Sequence, residues 1–221
     1  MASRHLGTFR SFGLNLTALR ASALAALLAV LGTPALAGDP GAGEAQAAVC
    51  AACHGQDGAT GLDPTYPSLA GQNERYLTNT LKMIRDGGRV IPLMAGQLNG
   101  KSDEDLANLA AFYAAKPVKV RQAQGDDETL ARAEQIYRGG IAEKGVAACT
   151  SCHAPGGDGN VLAGYPQIGG QPSAYTIAQL TAYREGDRTS DEMFGGMMRG
   201  VAQGLTDKEI AALADYIEGL N

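Results

Sequence analysis

A five-residue pattern, C-x-x-C-H, occurs at residues 50–54 and again at residues 149–153, and the two copies use all four cysteines of the chain. This pattern is the attachment signature of a c-type haem. Two thiols at this spacing at the start of a helix can each form a thioether with one vinyl group of the same porphyrin, and the adjacent histidine then faces the iron. We therefore predict two covalently bound haem c groups, and their protein ligands are Cys50, Cys53, His54, Cys149, Cys152 and His153.

Other uses of paired cysteines fit this pattern less well. A thioredoxin-like C-x-x-C would accompany a βαβ pattern, but no strand-rich stretch precedes either motif. A structural zinc site would not need a histidine directly after each second cysteine, and the separation of the two pairs is far larger than usual zinc spacing. Two disulfides, in an oxidising compartment, would leave the repeated histidines unexplained.

Residues 1–37 have the pattern of a secretory signal peptide. They contain three arginines and no acidic residue, an apolar run at residues 21–31, and an A-x-A cleavage site that ends at Ala37. The alternative is an uncleaved membrane anchor, but the apolar run is short for a membrane span. We predict cleavage after Ala37 and export to the periplasm, because covalent haem attachment also takes place on the outer side of the bacterial membrane.

The charge balance of the remaining chain is acidic. Three of the 18 basic residues lie in the leader, so 15 basic residues face 23 acidic ones after its removal. This balance argues against nucleic acid and against anionic lipid surfaces as partners. A local basic or apolar patch could still bind a protein partner.

After the leader the chain is an internal repeat. A shift of 99 positions superposes the two motifs, Tyr66-Pro67 on Tyr165-Pro166, and Gly71-Gln72 on Gly170-Gln171; after a gain of five residues, a shift of 104 continues the match. We predict two domains at 38–115 and 128–221, and an extended linker at 116–127. Each copy is small for an independent hydrophobic core, so we expect the haem to form part of it.

The predicted fold class is all-α, with two similar tandem domains that each wrap a small helical fold around one haem. Helices are predicted at 42–52 and 74–86 in the first copy and at 128–137, 146–152 and 173–184 in the second. Ser102 and Thr206 are N-caps for the last helix of each copy, and Thr206 with Glu209 forms a capping box. Apolar residues recur at helical spacing after both caps, and no strand-like alternation of any length occurs.

The histidine count restricts how the irons are held. His54 and His153 are the only histidines outside the leader, so each is predicted to be a proximal ligand and no haem has two histidines. Methionine, a soft thioether, is the candidate for the second ligand. In the first copy Met94 lies in an irregular stretch before the last helix, whereas Met83 lies in the middle of a helix and is expected to fill the core.

Three methionines compete in the second copy, and the distance to the capped helix selects one of them. Met94 lies eight residues before Ser102, and Met198 lies eight residues before Thr206. We therefore predict Met94 and Met198 as the distal ligands. Met197 stays open as an alternative, and Met193 is less favoured.

Two further pairs of repeated residues have two interpretations each. The carbonyls of Pro67 and Pro166 could accept a hydrogen bond from the proximal histidines, or these residues could be simple turn prolines. Arg85 and Arg184 could pair with haem propionates, or they could be solvated cations at helix ends.

The chain resembles the dihaem cytochrome c4 family over essentially its whole length after the leader. The resemblance rests on the paired motifs, the Tyr-Pro-x-(Leu/Ile)-(Ala/Gly)-Gly-Gln stretches at 66–72 and 165–171, the two methionines, and the Ser/Thr-Asp-x-(Asp/Glu) starts of the last helices. It implies two class I cytochrome c domains related by pseudo-twofold symmetry, with facing haem propionates and His/Met iron in both. Residues 99–101 depart from the family pattern, which has a shorter segment at this point before the last helix of the first copy.

The resemblance also implies a function. It indicates a periplasmic electron carrier of a respiratory chain, not an enzyme, that delivers electrons to a haem–copper terminal oxidase. Expected partners are redox proteins: the oxidase, a quinol–cytochrome c reductase or a dehydrogenase, with transient or peripheral membrane association. The alternatives are a cytochrome subunit of a flavocytochrome or other dehydrogenase complex, and a dihaem enzyme such as a peroxidase or thiosulfate dehydrogenase. A peroxidase usually needs a bis-His partner haem, which the histidine count opposes.

Overall fold

The computed structural model describes residues 37–220, which belong to one compact unit, Ala37–Asn221. The predicted leader, apart from Ala37, lies outside the described residues. Within residues 37–220 the β pairing consists of two isolated bridges, Ile141 with Val146 and Asn160 with Tyr165, and the remaining regular structure is helical. The prediction of an all-α fold is confirmed.

In the first half, the other helices are arranged around the last one. The elements are α1 (Pro40–Glu44), α2 (Ala48–His54), α3 (Glu74–Arg85), a 3₁₀ helix (Pro92–Met94) and α4 (Asp103–Ala114). Both α1 and α3 pack against α4. The predicted apolar stripe of α4 is buried in this core, and it consists of Leu106, Leu109, Ala110 and Tyr113.

The second half repeats this arrangement. Its elements are α5 (Asp127–Gly139), a 3₁₀ helix (Ala142–Lys144), α6 (Thr150–His153), α7 (Ser173–Glu185), a 3₁₀ helix (Glu192–Phe194), α8 (Met197–Ala202) and α9 (Asp207–Glu218). Both α5 and α7 pack against α9, and α8 packs against α7. The core combines Ile136 and Tyr137 of α5 with Ile210, Leu213 and Ile217 of α9.

The central helices α4 and α9 both begin with a capping box. The Ser102 hydroxyl accepts from the Asp105 N–H at 3.1 Å, and an Asp105 carboxylate oxygen accepts from the Ser102 N–H at 2.8 Å. Thr206 and Glu209 exchange the same two bonds at 3.3 and 2.9 Å. The N-caps are therefore confirmed in both copies, and Asp105 performs in the first copy the role that Glu209 performs in the second.

Two predicted helices differ from the observed ones for a local reason. The helix predicted at 42–52 is divided into α1 and α2, because at the break the N–H groups of Gln46 and Ala47 donate to the carbonyls three residues earlier, those of Gly43 and Glu44, both at 3.1 Å. The helix predicted at 146–152 is reduced to α6, because Val146 pairs with Ile141 instead. Gly140, at a φ of 71°, ends α5 and lets the chain turn into that bridge.

The two halves meet through reciprocal glutamine contacts. Gln171 accepts from the Ser68 N–H at 3.1 Å and donates to the Ser68 carbonyl at 2.8 Å. Gln72 makes the same two bonds with the backbone of Gln167, both at 2.9 Å. All four residues are buried, and one pair of contacts lies 99 positions from the other. The sequence repeat thus produces a two-fold arrangement at the junction.

The segment that joins the halves passes over two glycines. Residues 116–125 contain no helix. A Cβ on Gly71 would lie 2.2 Å from Cγ2 of Val118, and a Cβ on Gly170 would lie 2.7 Å from the carbonyl oxygen of Lys119. Both glycines also have a positive φ, of 70° and 71°. Because only glycine tolerates both conditions, this close approach explains why Gly-Gln is repeated.

Candidate haem-binding sites

The histidine of each C-x-x-C-H motif is held by the carbonyl of a repeated proline. His54 Nδ1 lies 3.0 Å from the carbonyl oxygen of Pro67, and His153 Nδ1 lies 2.9 Å from that of Pro166. Because a carbonyl only accepts, Nδ1 carries the proton and Nε2 is left with its lone pair, as a metal ligand requires. Burial lowers the pKa of both histidines, which favours the neutral ring, although the carbonyl bonds oppose this effect. The first interpretation of the two prolines is therefore confirmed.

The four cysteines lie in or next to the motif helices: Cys50 and Cys53 in α2, Cys149 at the N-cap of α6 and Cys152 within α6. Cys50, Cys149 and Cys152 are half-buried, and Cys53 is exposed. Burial raises the pKa of Cys149 to about 11 and raises that of Cys50. A thiol whose pKa is raised is the opposite of the activated thiolate of a thioredoxin-like redox pair, so the environment does not support that alternative.

One continuous cavity of about 930 Å³ is lined by both motifs and crosses the junction of the two halves. Its size lies near the upper end of ligand cavities in proteins, ~300–1,000 Å³. Mostly apolar side chains form its walls, including Leu77 and Leu81 of α3 and their neighbours. Paired thiols, a histidine with a free Nε2 and an apolar wall are what a covalently attached iron porphyrin requires, so the residues of each half fit one haem c.

The methionines predicted as distal ligands line the same cavity. Met94 is half-buried at the end of its 3₁₀ helix, and Met198 is half-buried in the first turn of the short helix α8. Met197 also lines the cavity, but its side chain is 39% exposed and its sulfur lies 4.0 Å from Cys152 Sγ. Met193 and Met83 line the cavity as well, but Met193 is 60% exposed and Met83 lies within the regular helix α3.

Arg85 and Arg184 do not line the cavity, and they pair with carboxylates of their own half. Arg85 contacts Asp86 at 2.7 Å and Asp103 at 2.8 Å. Arg184 contacts Glu185 at 2.8 Å and Asp207 at 2.7 Å. The structure thus supports the interpretation of these arginines as helix-end cations.

A second pair of arginines, which the sequence reasoning missed, lies at the junction. Arg89 donates to the Tyr175 hydroxyl at 3.2 Å, and Arg188 donates to the Tyr76 hydroxyl at 3.2 Å. The two arginines are 99 positions apart, as are the two tyrosines, so the shift that aligned the motifs also aligns these contacts. All four side chains line the cavity.

These arginines create a positive electrostatic environment at the junction. Burial alone would raise the pKa of Tyr76, but the charges of Arg188 and Arg89 outweigh it and lower the pKa to about 8. None of the ion pairs formed within residues 37–220 includes Arg89 or Arg188. The junction therefore presents positive charge to the cavity.

None of the helices within residues 37–220 is long and apolar enough to cross a membrane. No group of three or more His, Cys, Asp or Glu side chains in this part of the chain could hold a metal ion.

The fold and the two sites define a class of protein. The protein has two helical halves, and each half places a C-x-x-C-H helix and a histidine held by a backbone carbonyl on a shared cavity. These are the features of a dihaem c-type cytochrome. The family model described as Cytochrome c matches residues 131–221. The model described as Cytochrome C oxidase, cbb3-type, subunit III, matches residues 37–112.

Individual relatives narrow this class to one family. Cytochrome c4 of Pseudomonas aeruginosa is 45% identical over 201 residues, which are 90% of this chain and 98% of that protein. The crystal structure of reduced recombinant cytochrome c4 from Pseudomonas stutzeri matches with a TM-score of 0.79 at 45% identity, over 84% of this chain and 100% of that chain. A thiosulfate dehydrogenase electron acceptor of Thiomonas intermedia is 35% identical over 173 residues, 78% of each protein.

The chain belongs to the cytochrome c4 family. It carries two covalent haem c groups with iron, and it is an electron carrier and not an enzyme.

Proposed function

We propose that this protein is a periplasmic electron carrier that delivers electrons in a respiratory chain to a haem–copper terminal oxidase. The observation that carries the proposal is the single cavity that joins both C-x-x-C-H motifs across a junction held by reciprocal hydrogen bonds. Two one-electron sites held in one molecule exchange electrons at a high effective concentration, which suits a carrier.

The residues of the two sites have separate roles in this proposal. Each bound haem supplies an iron that takes up and releases one electron. Cys50 and Cys53, like Cys149 and Cys152, hold the porphyrin covalently, and His54 and His153 are the proximal ligands. Pro67 and Pro166 fix the histidine rings through their carbonyls, which lie about 3.0 and 2.9 Å from Nδ1.

Met94 and Met198 are the proposed distal ligands. Both are half-buried, both line the cavity, and both lie eight residues before the N-cap of the central helix of their half. Met197 is more exposed, and its sulfur lies 4.0 Å from Cys152 Sγ, a sulfur that is proposed to bind the porphyrin covalently. A histidine and a methionine would together fill the coordination positions that the porphyrin leaves on each iron, so none would remain for a substrate, and methionine raises the reduction potential.

The periplasmic location rests on the sequence of the leader and on the chemistry of the motifs. Residues 1–37 have the charge pattern and the A-x-A site of a signal peptide. We propose cleavage after Ala37, a quinol–cytochrome c reductase as one donor, and transient docking at the membrane surface through a small interface.

A second candidate function is that of an electron acceptor for a dehydrogenase. The observation that favours it is the 35% identity with the thiosulfate dehydrogenase electron acceptor of Thiomonas intermedia. In this role the protein would receive electrons from a separate catalytic subunit, and its own haems would be ligated in the same way.

A kinetic experiment separates the two candidates. Reduced protein is mixed with membranes that contain the terminal oxidase, and its oxidation is followed by absorbance with and without cyanide. The carrier proposal predicts an oxidation rate that rises with oxidase content and stops with cyanide. Negligible oxidation by these membranes, together with fast reduction by thiosulfate and a thiosulfate dehydrogenase, would favour the second candidate.

A further inference from the structure

The two arginines at the junction, Arg89 and Arg188, are held almost entirely by neutral groups. Arg89 is 8% exposed, and its acceptors are the Tyr175 hydroxyl at 3.2 Å and the Gln179 side-chain oxygen at 3.1 Å. Arg188 donates to the Tyr76 hydroxyl, to Ser190 Oγ at 2.9 Å and to the same Gln179 oxygen at 2.8 Å. We refer to Arg89 and Arg188 as the arginine pair.

This arrangement requires a compensating negative charge. A buried charge is costly unless an opposite charge accompanies it, and two guanidinium groups that share one acceptor also repel each other. The ion pairs within residues 37–220 include carboxylate partners for other arginines, such as Arg85 and Arg184, but none for the arginine pair. Because both members line the cavity, the missing charge belongs to what the cavity holds.

Gln179 joins the two arginines into one group. Its oxygen accepts from both guanidiniums, while the residue at the equivalent position of the first half is Thr80, which is 99 positions earlier and has a shorter side chain. The two-fold symmetry of the junction is therefore broken at this point. Both arginines therefore depend on one shared acceptor.

We propose that the arginine pair binds carboxylate groups of both haems across the junction and that it links the reduction potentials of the two halves. The members are positioning residues, since they contact the cofactor periphery and not the iron. Positive charge close to a haem stabilises the reduced, less positive state, so loss of one guanidinium lowers the potential. Because the pair is shared, a single substitution is expected to lower both potentials. The inference rests on the proposed function only in requiring two haems in the cavity.

The test is a spectroelectrochemical titration of the matured, two-haem protein. In Arg89→Met we expect the ratio of reduced to oxidised haem at a fixed potential to fall at least about threefold for both haems. At 59 mV per tenfold change for one electron, this corresponds to a fall of ~28 mV in each reduction potential. Arg188→Met should act in the same way, and Arg89→Lys, which keeps the charge, should restore most of the loss. Arg75→Met is the matched control, because Arg75 also crosses the junction to the Leu162 carbonyl but is exposed and does not line the cavity.

Two readouts keep the outcomes distinct. Intact mass reports the haem content: a wild-type protein without two haems would contradict the proposed function, whereas a variant without two haems has failed to mature. In that case Arg89→Gln, which keeps a hydrogen-bond donor, replaces Arg89→Met. If a two-haem variant shows unchanged potentials, or a shift of one haem alone, the shared pair is contradicted. A shift of equal size in Arg75→Met would also overturn it, because the effect would then be one of overall charge.

Discussion

Gln171→Ala removes one of the two reciprocal contacts that hold the halves together. In the native structure the Gln171 amide satisfies both the N–H and the carbonyl of Ser68, at 3.1 and 2.8 Å. Both residues are buried, at 5% and 7% exposure. The alanine variant leaves two buried backbone groups of the other half without their partner.

The expected destabilisation follows from these two groups. A buried donor or acceptor that loses its partner costs about 1–3 kcal/mol, so the variant should lose at least about 2 kcal/mol of unfolding free energy. For a protein of this size, 1 kcal/mol corresponds to a shift in Tm of about 2–4 °C, and the Tm should fall by at least about 4 °C. Gln72→Ala should lose somewhat more, because Gln72 also accepts from the Asn73 N–H at 2.8 Å.

Thermal unfolding of the two-haem protein, followed by circular dichroism, measures this effect. Gln124→Ala is the matched control, since the side chain of Gln124 is exposed and bonds only to the nearby Gln122 carbonyl. Its Tm should remain within about 1 °C of the wild type, because surface changes usually cost less than 0.5 kcal/mol. If Gln171→Ala unfolds at the wild-type Tm, the glutamine contacts do not hold the junction and the reasoning is refuted.

Two other predictions concern the haems themselves. Met94→Ala and Met198→Ala should each abolish the thioether-to-iron absorption band of one haem and lower the reduction potential of that haem, because methionine raises it. If Met197→Ala loses the band and Met198→Ala keeps it, the eight-residue spacing selected the wrong sulfur. The intact mass of the matured protein should equal that of residues 38–221 plus two haems, since all four cysteines lie in C-x-x-C-H motifs; a mass with one haem would contradict the assignment.

The sequence was most informative where one local pattern dictates one structure. The C-x-x-C-H motifs, the capped helices α4 and α9 and the carbonyls of Pro67 and Pro166 depend on neighbours along the chain or on one repeated element. The helix predicted at 42–52 is interrupted at residues 45–47, where the N–H groups of Gln46 and Ala47 donate to carbonyls three residues earlier. Apolar periodicity alone does not predict such a local change of hydrogen bonding.

The arginines illustrate the same limit at the site. Arg85 and Arg89 both have a counterpart 99 positions later, so the repeat alone could not show which pair faces the cavity. The choice depends on packing: Arg85 reaches Asp103 at the start of α4, whereas Arg89 extends across the junction to Tyr175. Only the three-dimensional arrangement of the two halves separates the surface pair from the junction pair.

The central claim, that two haems in one molecule exchange electrons, is tested most directly by injecting less than one electron per oxidised protein with a pulsed reductant. Absorbance then follows the redistribution of that electron between the two haems. The account predicts a redistribution phase whose rate does not depend on protein concentration, because the two sites share one cavity within one chain. A rate that rises in proportion to protein concentration would show that electrons pass only between molecules, and it would contradict the account.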